Sequence, residues 1–137
     1  MNYISFDYGT KYIGVAIGQN ITNTGNILQS IRLKNKIVNW NKIKKIIKYW
    51  NPTSIIVGLP LNMDGTEQEF TIETKNFAYK ISKKFKIKVY MHDERLSTIE
   101  AKHILFTKGI KNLTKNKINS TSALIILESW LLKNKEK

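Results

Sequence analysis

A chain of 137 residues is one ordinary domain, long enough to bury a core. It has no cysteine, which excludes disulfides, thiolate-bound zinc and thiol catalysis, and no apolar run long enough to cross a bilayer. Its 23 lysines and arginines against 10 acids give a formal net charge of +13, a field that attracts polyanions, nucleic acid first among them.

The first residues run straight into strand-like sequence. They lack the basic stretch, long apolar core and small-residue cleavage site of a secretory leader. With the absence of cysteine, this predicts a cytoplasmic protein. Tyr3 to Asp7 alternates, with Ile4 and Phe6 on one face. After the turn residues Gly9-Thr10-Lys11, Tyr12 to Ile17 reads as a second strand, and the two form a hairpin. Asn26 to Leu33 is a third strand, completing an antiparallel meander.

The period then changes. Ile37, Trp40, Ile43, Ile47 and Trp50 recur at three- and four-residue steps, one face of a helix that Pro52 stops. Ser54 to Leu59 is continuously apolar, as expected of a strand covered on both faces, and Pro60 ends it. Thr66 and Glu69 have capping-box spacing before a helix whose apolar face is Phe70, Phe77, Ile81 and Phe85. Ile87 to Met91 alternates again as a strand. Ser97 and Glu100 repeat the capping pattern for a helix through about Phe106. Lys108 to Lys117 is a basic connection, and Asn119 or Ser120 caps a last helix through Leu132. The order β-β-β-α-β-α-β-α-α predicts one α/β domain over residues 1–137. Three strands of meander and two parallel strands form a mixed five-stranded sheet with helices on both faces.

In such sheets, sites form beyond the carboxyl ends of the parallel strands. Asp7 closes the first strand, Asp93 and Glu94 follow the strand ending at Met91, and the loop after the central strand carries Asp64. Clustered carboxylates repel one another unless a cation sits between them, and Mg2+ or Mn2+ is the usual one. Two such ions activate a water and stabilise a leaving oxygen in phosphodiester hydrolysis. Plainer roles compete. Asp7 borders a glycine turn, Asp64-Gly65 is an ordinary tight-turn pair, and Asp93 suits a helix start. His92 and His103 lack metal-ligand spacing and read as surface or half-buried residues. The charge has a plain reading too. The only arginines are Arg32 and Arg95, and a chain heavy in Lys, Asn and Ile fits drift toward an AT-rich coding sequence. Spacing alone leaves these readings open.

Four blocks narrow them. Phe6 to Ala16 (FDYGTKYIGVA), Val57 to Gly65 (VGLPLNMDG), Asp93 to Thr98 (DERLST) and Ser122 to Trp130 (SALIILESW) resemble, in order and spacing, the motifs of the YqgF/RuvX family. These are pre-16S rRNA nucleases also described as Holliday-junction-resolvase-like. An Asp-x-Gly-Thr opening by itself also occurs in sugar-kinase and actin-like ATPases, but their two-lobed fold needs more chain than this. The resemblance spans essentially the whole sequence. It implies an RNase H-like fold, Mg2+- or Mn2+-dependent phosphodiester hydrolysis, and a part in maturing the 5′ end of the 16S rRNA precursor, on the small ribosomal subunit. Carried over by position, Asp7 and Glu94 match two acidic metal ligands, with Asp93 and Asp64 as secondary candidates. Arg95 matches the motif arginine, suited to a neighbouring carboxylate or to a phosphate. Lys11 of the opening motif and Lys108, Lys111, Lys115 and Lys117 before the last helix are the other substrate-binding candidates.

The departure is at the third acidic position, where this chain has Asn119. An amide offers a neutral oxygen in place of a charged one, so Asn119 is a weaker catalytic and metal-binding candidate that still suits a helix cap. Glu128 does not replace it, since it lies about 13 Å further along the helix and on roughly the opposite face. Two alternatives to an active rRNA nuclease follow: a nucleic-acid-binding ribosome-maturation factor with weakened catalysis, and a Holliday-junction resolvase.

Overall fold

The structure, a computed structural model, describes residues 1–19, 24–96 and 120–134. Its elements are β1 (Asn2–Tyr8), β2 (Tyr12–Gln19), β3 (Thr24–Arg32), α1 (Trp40–Trp50), β4 (Ser54–Leu59), α2 (Glu69–Phe85) and β5 (Lys88–Asp93). A 3-10 turn over Glu94–Leu96 follows, and then α3 (Thr121–Lys133). The sheet order is β3-β2-β1-β4-β5. β1, β2 and β3 pair antiparallel, while β4 and β5 add parallel to β1, as the predicted meander plus two parallel strands requires. The predicted helix at 97–106 and the basic connection at 108–117 lie outside the described residues.

Alternation along the strands supplies both layers. Ile4, Phe6, Ile55 and Val57 face α1 and α2 and pack with Ile43, Phe77 and Ile81. Tyr3, Ala16 and Ile56 face the other way, onto Leu124, Leu127 and Leu131 of α3. That is why β4 is apolar at consecutive positions: each neighbour enters a different core. Burying one such side chain stabilises the fold by about 1.5–3 kcal/mol.

Two helix starts differ from the sequence expectation. α1 begins at Trp40, where Asn39 Oδ1 accepts from the Lys42 N–H at 3.3 Å. Ile37, expected on the helix face, lies in a turn made by Asn35 and Lys36 at positive φ and is 68% exposed. α2 is not capped by Thr66. Asp64 takes both the backbone N–H and the hydroxyl of Thr66, at 3.0 and 2.6 Å. The cap falls instead on Gln68, whose N–H donates to Thr71 Oγ1 at 3.0 Å, while that hydroxyl donates to the Pro60 carbonyl. Among the described residues, no helix is long and apolar enough to cross a membrane.

Candidate active site

Asp7 is opposite Gly14 of β2 on one side. On its other side is β4, where Phe6 is level with Val57 and Asp7 therefore comes beside Gly58. Gly58 is in turn opposite His92 of β5, with Asp93 and Glu94 just beyond. Strand β4 thus separates the two candidate ligands, and Glu94 must cross it to meet Asp7. Gly58 makes the crossing possible. A Cβ there would lie 2.9 Å from Glu94 Oε1 and 3.1 Å from its Cγ. The two carboxyls are joined by a hydrogen bond, and the Ser122 hydroxyl at the start of α3 also bonds Asp7.

Burial, then the Asp7 charge, its hydrogen bond and the charge of Asp93 push the Glu94 carboxyl up to about 8. Burial also raises Asp7, against the pull of its bonds to Glu94 and Ser122. Near neutral pH the pair therefore holds a proton between two oxygens that would otherwise both be charged. A hard divalent cation fits that place, because the donors are all oxygen and positive charge is what the pair lacks. Among the described residues no third His, Cys, Asp or Glu joins them. Asn119, the third candidate, lies outside the described residues, as do Lys108, Lys111, Lys115 and Lys117.

The secondary acids have other partners. Asp93 is bound by Arg95, with Nε 3.1 Å from each carboxylate oxygen and Nη2 2.6 Å from Oδ2, which holds its carboxyl below the usual range. Arg95 Nη1 also donates to the Met63 carbonyl at 3.2 Å, tying the end of β5 to the loop after β4. Asp64 is the turn residue of that loop, beside Gly65 at φ 91°, where only glycine is at ease. Its hydrogen bonds to Thr66 lower its carboxyl. Lys11 is exposed in the turn after β1, on the same edge of the sheet as Asp7.

Helix α3 is fixed against this edge by hydroxyls. Ser5 Oγ donates to the Ala123 carbonyl at 2.6 Å, and Ser120 Oγ accepts from the Val15 N–H at 2.9 Å, where the β2–β3 register shifts. Ser120 caps the helix but its side chain serves β2. His92 is buried, not surface or half-buried as expected, with Nε2 3.0 Å from Ser129 Oγ; burial foremost, then the charge of Lys133, pulls its pKa down. Glu128 is buried at the far end of the sheet, where Oε1 accepts from the Gly25 N–H at 3.0 Å. It is too remote to serve Asp7, as expected. Gly58 and Ser122 stand in the second and fourth motif blocks, but the sequence does not single out either as a site residue. A lone glycine inside an apolar strand signals a close approach, though not by what; Ser122 is marked only by opening the fourth motif block, three residues after the departure.

A twisted mixed sheet of this strand order, with acids meeting at the carboxyl ends of β1 and β5, is the RNase H-like fold. The fold is shared with Thermus thermophilus RuvC in complex with Holliday junction substrate, at TM-score 0.64 and 11% identity, covering 97% of this chain and 94% of that one. Fowlpox virus resolvase with Holliday junction DNA matches at TM-score 0.52 and 18% identity, over 99% and 97%. In sequence, the RuvX family model, described as Holliday junction resolvase, matches residues 1–133. A protein of Buchnera aphidicola subsp. Baizongia pistaciae named "Putative pre-16S rRNA nuclease" is 55% identical over 136 residues, 98% of this chain and 99% of its own. One of the same name from Wigglesworthia glossinidia brevipalpis is 57% identical over 129 residues, 93% and 90%. The chain belongs to the RuvX family.

Proposed function

We propose that this protein is a cytoplasmic, Mg2+- or Mn2+-dependent nuclease that hydrolyses phosphodiester bonds in 5′-end maturation of the 16S rRNA precursor. The observation that supports the reading is the meeting of Asp7 and Glu94 across β4, at the carboxyl edge of the parallel strands, where sites form in sheets of this kind. Asp7 and Glu94 are the charged metal ligands, and Asn119 is the neutral third. The bound metal supplies Lewis-acid charge and lowers the pKa of water. Ser122 orients Asp7. Arg95 holds Asp93 and the Met63 loop, and each of its terminal nitrogens keeps a second N–H for a phosphate oxygen. Lys11, Lys108, Lys111, Lys115 and Lys117 contact the substrate backbone. RNA is set before a DNA junction because the relatives named for rRNA are 55–57% identical, whereas the solved resolvases share 11–18% and with it only the fold; the description of the family model keeps the junction as the second substrate to test.

The test is single-turnover cleavage of a precursor RNA carrying its 5′ extension, with a four-way DNA junction alongside, across a magnesium series. Cleavage of the RNA, reduced to background by Asp7→Asn, is the expected result; an undiminished Asp7→Asn rate overturns the site. Preferential cleavage of the junction moves the protein to the resolvases. Asn119→Asp should raise cleavage at limiting metal at least about tenfold, which is roughly 1.4 kcal/mol of transition-state stabilisation. Wild-type cleavage at background, rescued by Asn119→Asp, favours the second reading: a maturation factor that binds RNA and has lost most of its catalysis, which the missing charge at 119 supports.

A further inference from the structure

Charge is sorted on this molecule. Among the described residues the acids gather near the rim, as Asp7, Asp64, Glu67, Glu69, Asp93 and Glu94, with Glu73 one turn into α2 and Glu128 on the buried face of α3. None falls between Asp7 and Asp64 or between Glu73 and Asp93. Helix α1 therefore carries no acid, and its outward face holds Lys42, Lys45 and Lys48, with Tyr49 79% exposed among them. The second half of α2 repeats the pattern: Tyr79 is 63% exposed, with Lys83 Nζ 5.5 Å from its ring centroid. Lys84 Nζ lies 5.1 Å from the Trp40 ring, so the basic surfaces of the two helices meet. Coding drift toward lysine adds charge without regard to place. It does not clear acids from α1 and from the second half of α2 beside it and leave tyrosines standing between the lysines.

Lysines spread over two neighbouring helix faces, with tyrosine hydroxyls between them, suit the phosphates and sugars of a nucleic-acid backbone. This surface covers the side of the sheet opposite α3, whereas Ser122 of α3 reaches Asp7. A ligand touching both extends well beyond the few nucleotides at the rim. We propose that the outer face of α1 and the second half of α2 form a second docking surface for the phosphate backbone of a structured RNA. The choice of RNA rests on the function proposed above.

The experiment measures binding apart from cleavage, so an RNA that binds uncleaved fails the nuclease reading and leaves the docking test intact. Lys45→Gln/Lys48→Gln is compared with Lys88→Gln/Lys133→Gln, which removes the same charge away from α1 and α2. The probes are a folded fragment of precursor 16S rRNA and a single strand of about ten nucleotides. Expected is a roughly five- to tenfold loss of affinity for the folded RNA in the α1 variant alone, with the slope of log K against log salt flatter by about one and a half units. Its affinity for the short strand stays as in wild type. Equal losses from both double variants reduce the effect to net charge and overturn the proposal. So does an α1 variant that binds folded RNA with the wild-type affinity and slope.

Discussion

A methyl group added at Gly58 would lie 2.4 Å from Ile126 Cδ1 as well as 2.9 Å from Glu94 Oε1. Gly58→Ala should therefore destabilise the fold by about 1–3 kcal/mol through overpacking and also weaken metal binding. Ile126→Val removes the apolar half of the clash. In the double variant, stability in urea should recover while Mn2+ affinity stays low; recovery of both would mean that Glu94 does not need the bare strand. The Glu94 carboxyl itself predicts a pH dependence. Its folded value of about 8 lies above the ordinary 4.5, so between these limits the folded chain holds more proton than the unfolded one. Metal-free stability should then fall as pH rises through this window, with the full contribution present below about pH 4.5 and lost above about pH 8. Thermal unfolding from pH 5 to 8.5 checks it, and Glu94→Gln should flatten the profile. The place of Asp7 and Glu94 at the rim was legible because each directly follows or closes a strand. Their separation by a whole strand, and the gap at Gly58 that bridges it, were not, since no spacing in the chain encodes which strand lies between two others.

At the scale of elements, the placement of α3 depends on two hydroxyls facing opposite ways, Ser5 reaching up to the helix and Ser120 reaching down to β2. Ser120→Ala leaves the buried Val15 N–H without that acceptor, at a cost of about 1–3 kcal/mol. The same change loosens the helix start that carries Ser122. Urea unfolding should show the loss, and cleavage at saturating metal should drop with it, while Thr121→Ala beside it, only half-buried, should be close to neutral. Helices were legible as faces and less so as starts. Ile43 and Phe77 repeat at the period a buried stripe demands, but the capping pattern at Thr66 and Glu69 matched two residues early, because Asp64 claims Thr66 for its own turn. The spacing of Ile37 fits a helical residue, but left-handed Asn35 and Lys36 hold it in the turn before α1.

Over the whole molecule, one sheet supports both cores, so neither layer stands without the other. Unfolding should be a single transition, with tryptophan fluorescence and far-ultraviolet circular dichroism coinciding. Trp40 and Trp50 report the α1 side and Trp130 the α3 side, and two separated midpoints would refute a single domain. The topology was legible because a meander followed by alternating strands and helices leaves few right-handed arrangements. The sorting of charge was not, since it depends on which helices share a face. The proton lodged between Asp7 and Glu94 has a consequence for the calorimetrist. A cation entering there expels it into the medium, so the heat of each injection includes the heat of whatever buffer accepts the proton. Titrations of magnesium in Tris and in a phosphate-free buffer of low ionisation enthalpy should differ below about pH 8 and converge above it, where the proton is already gone.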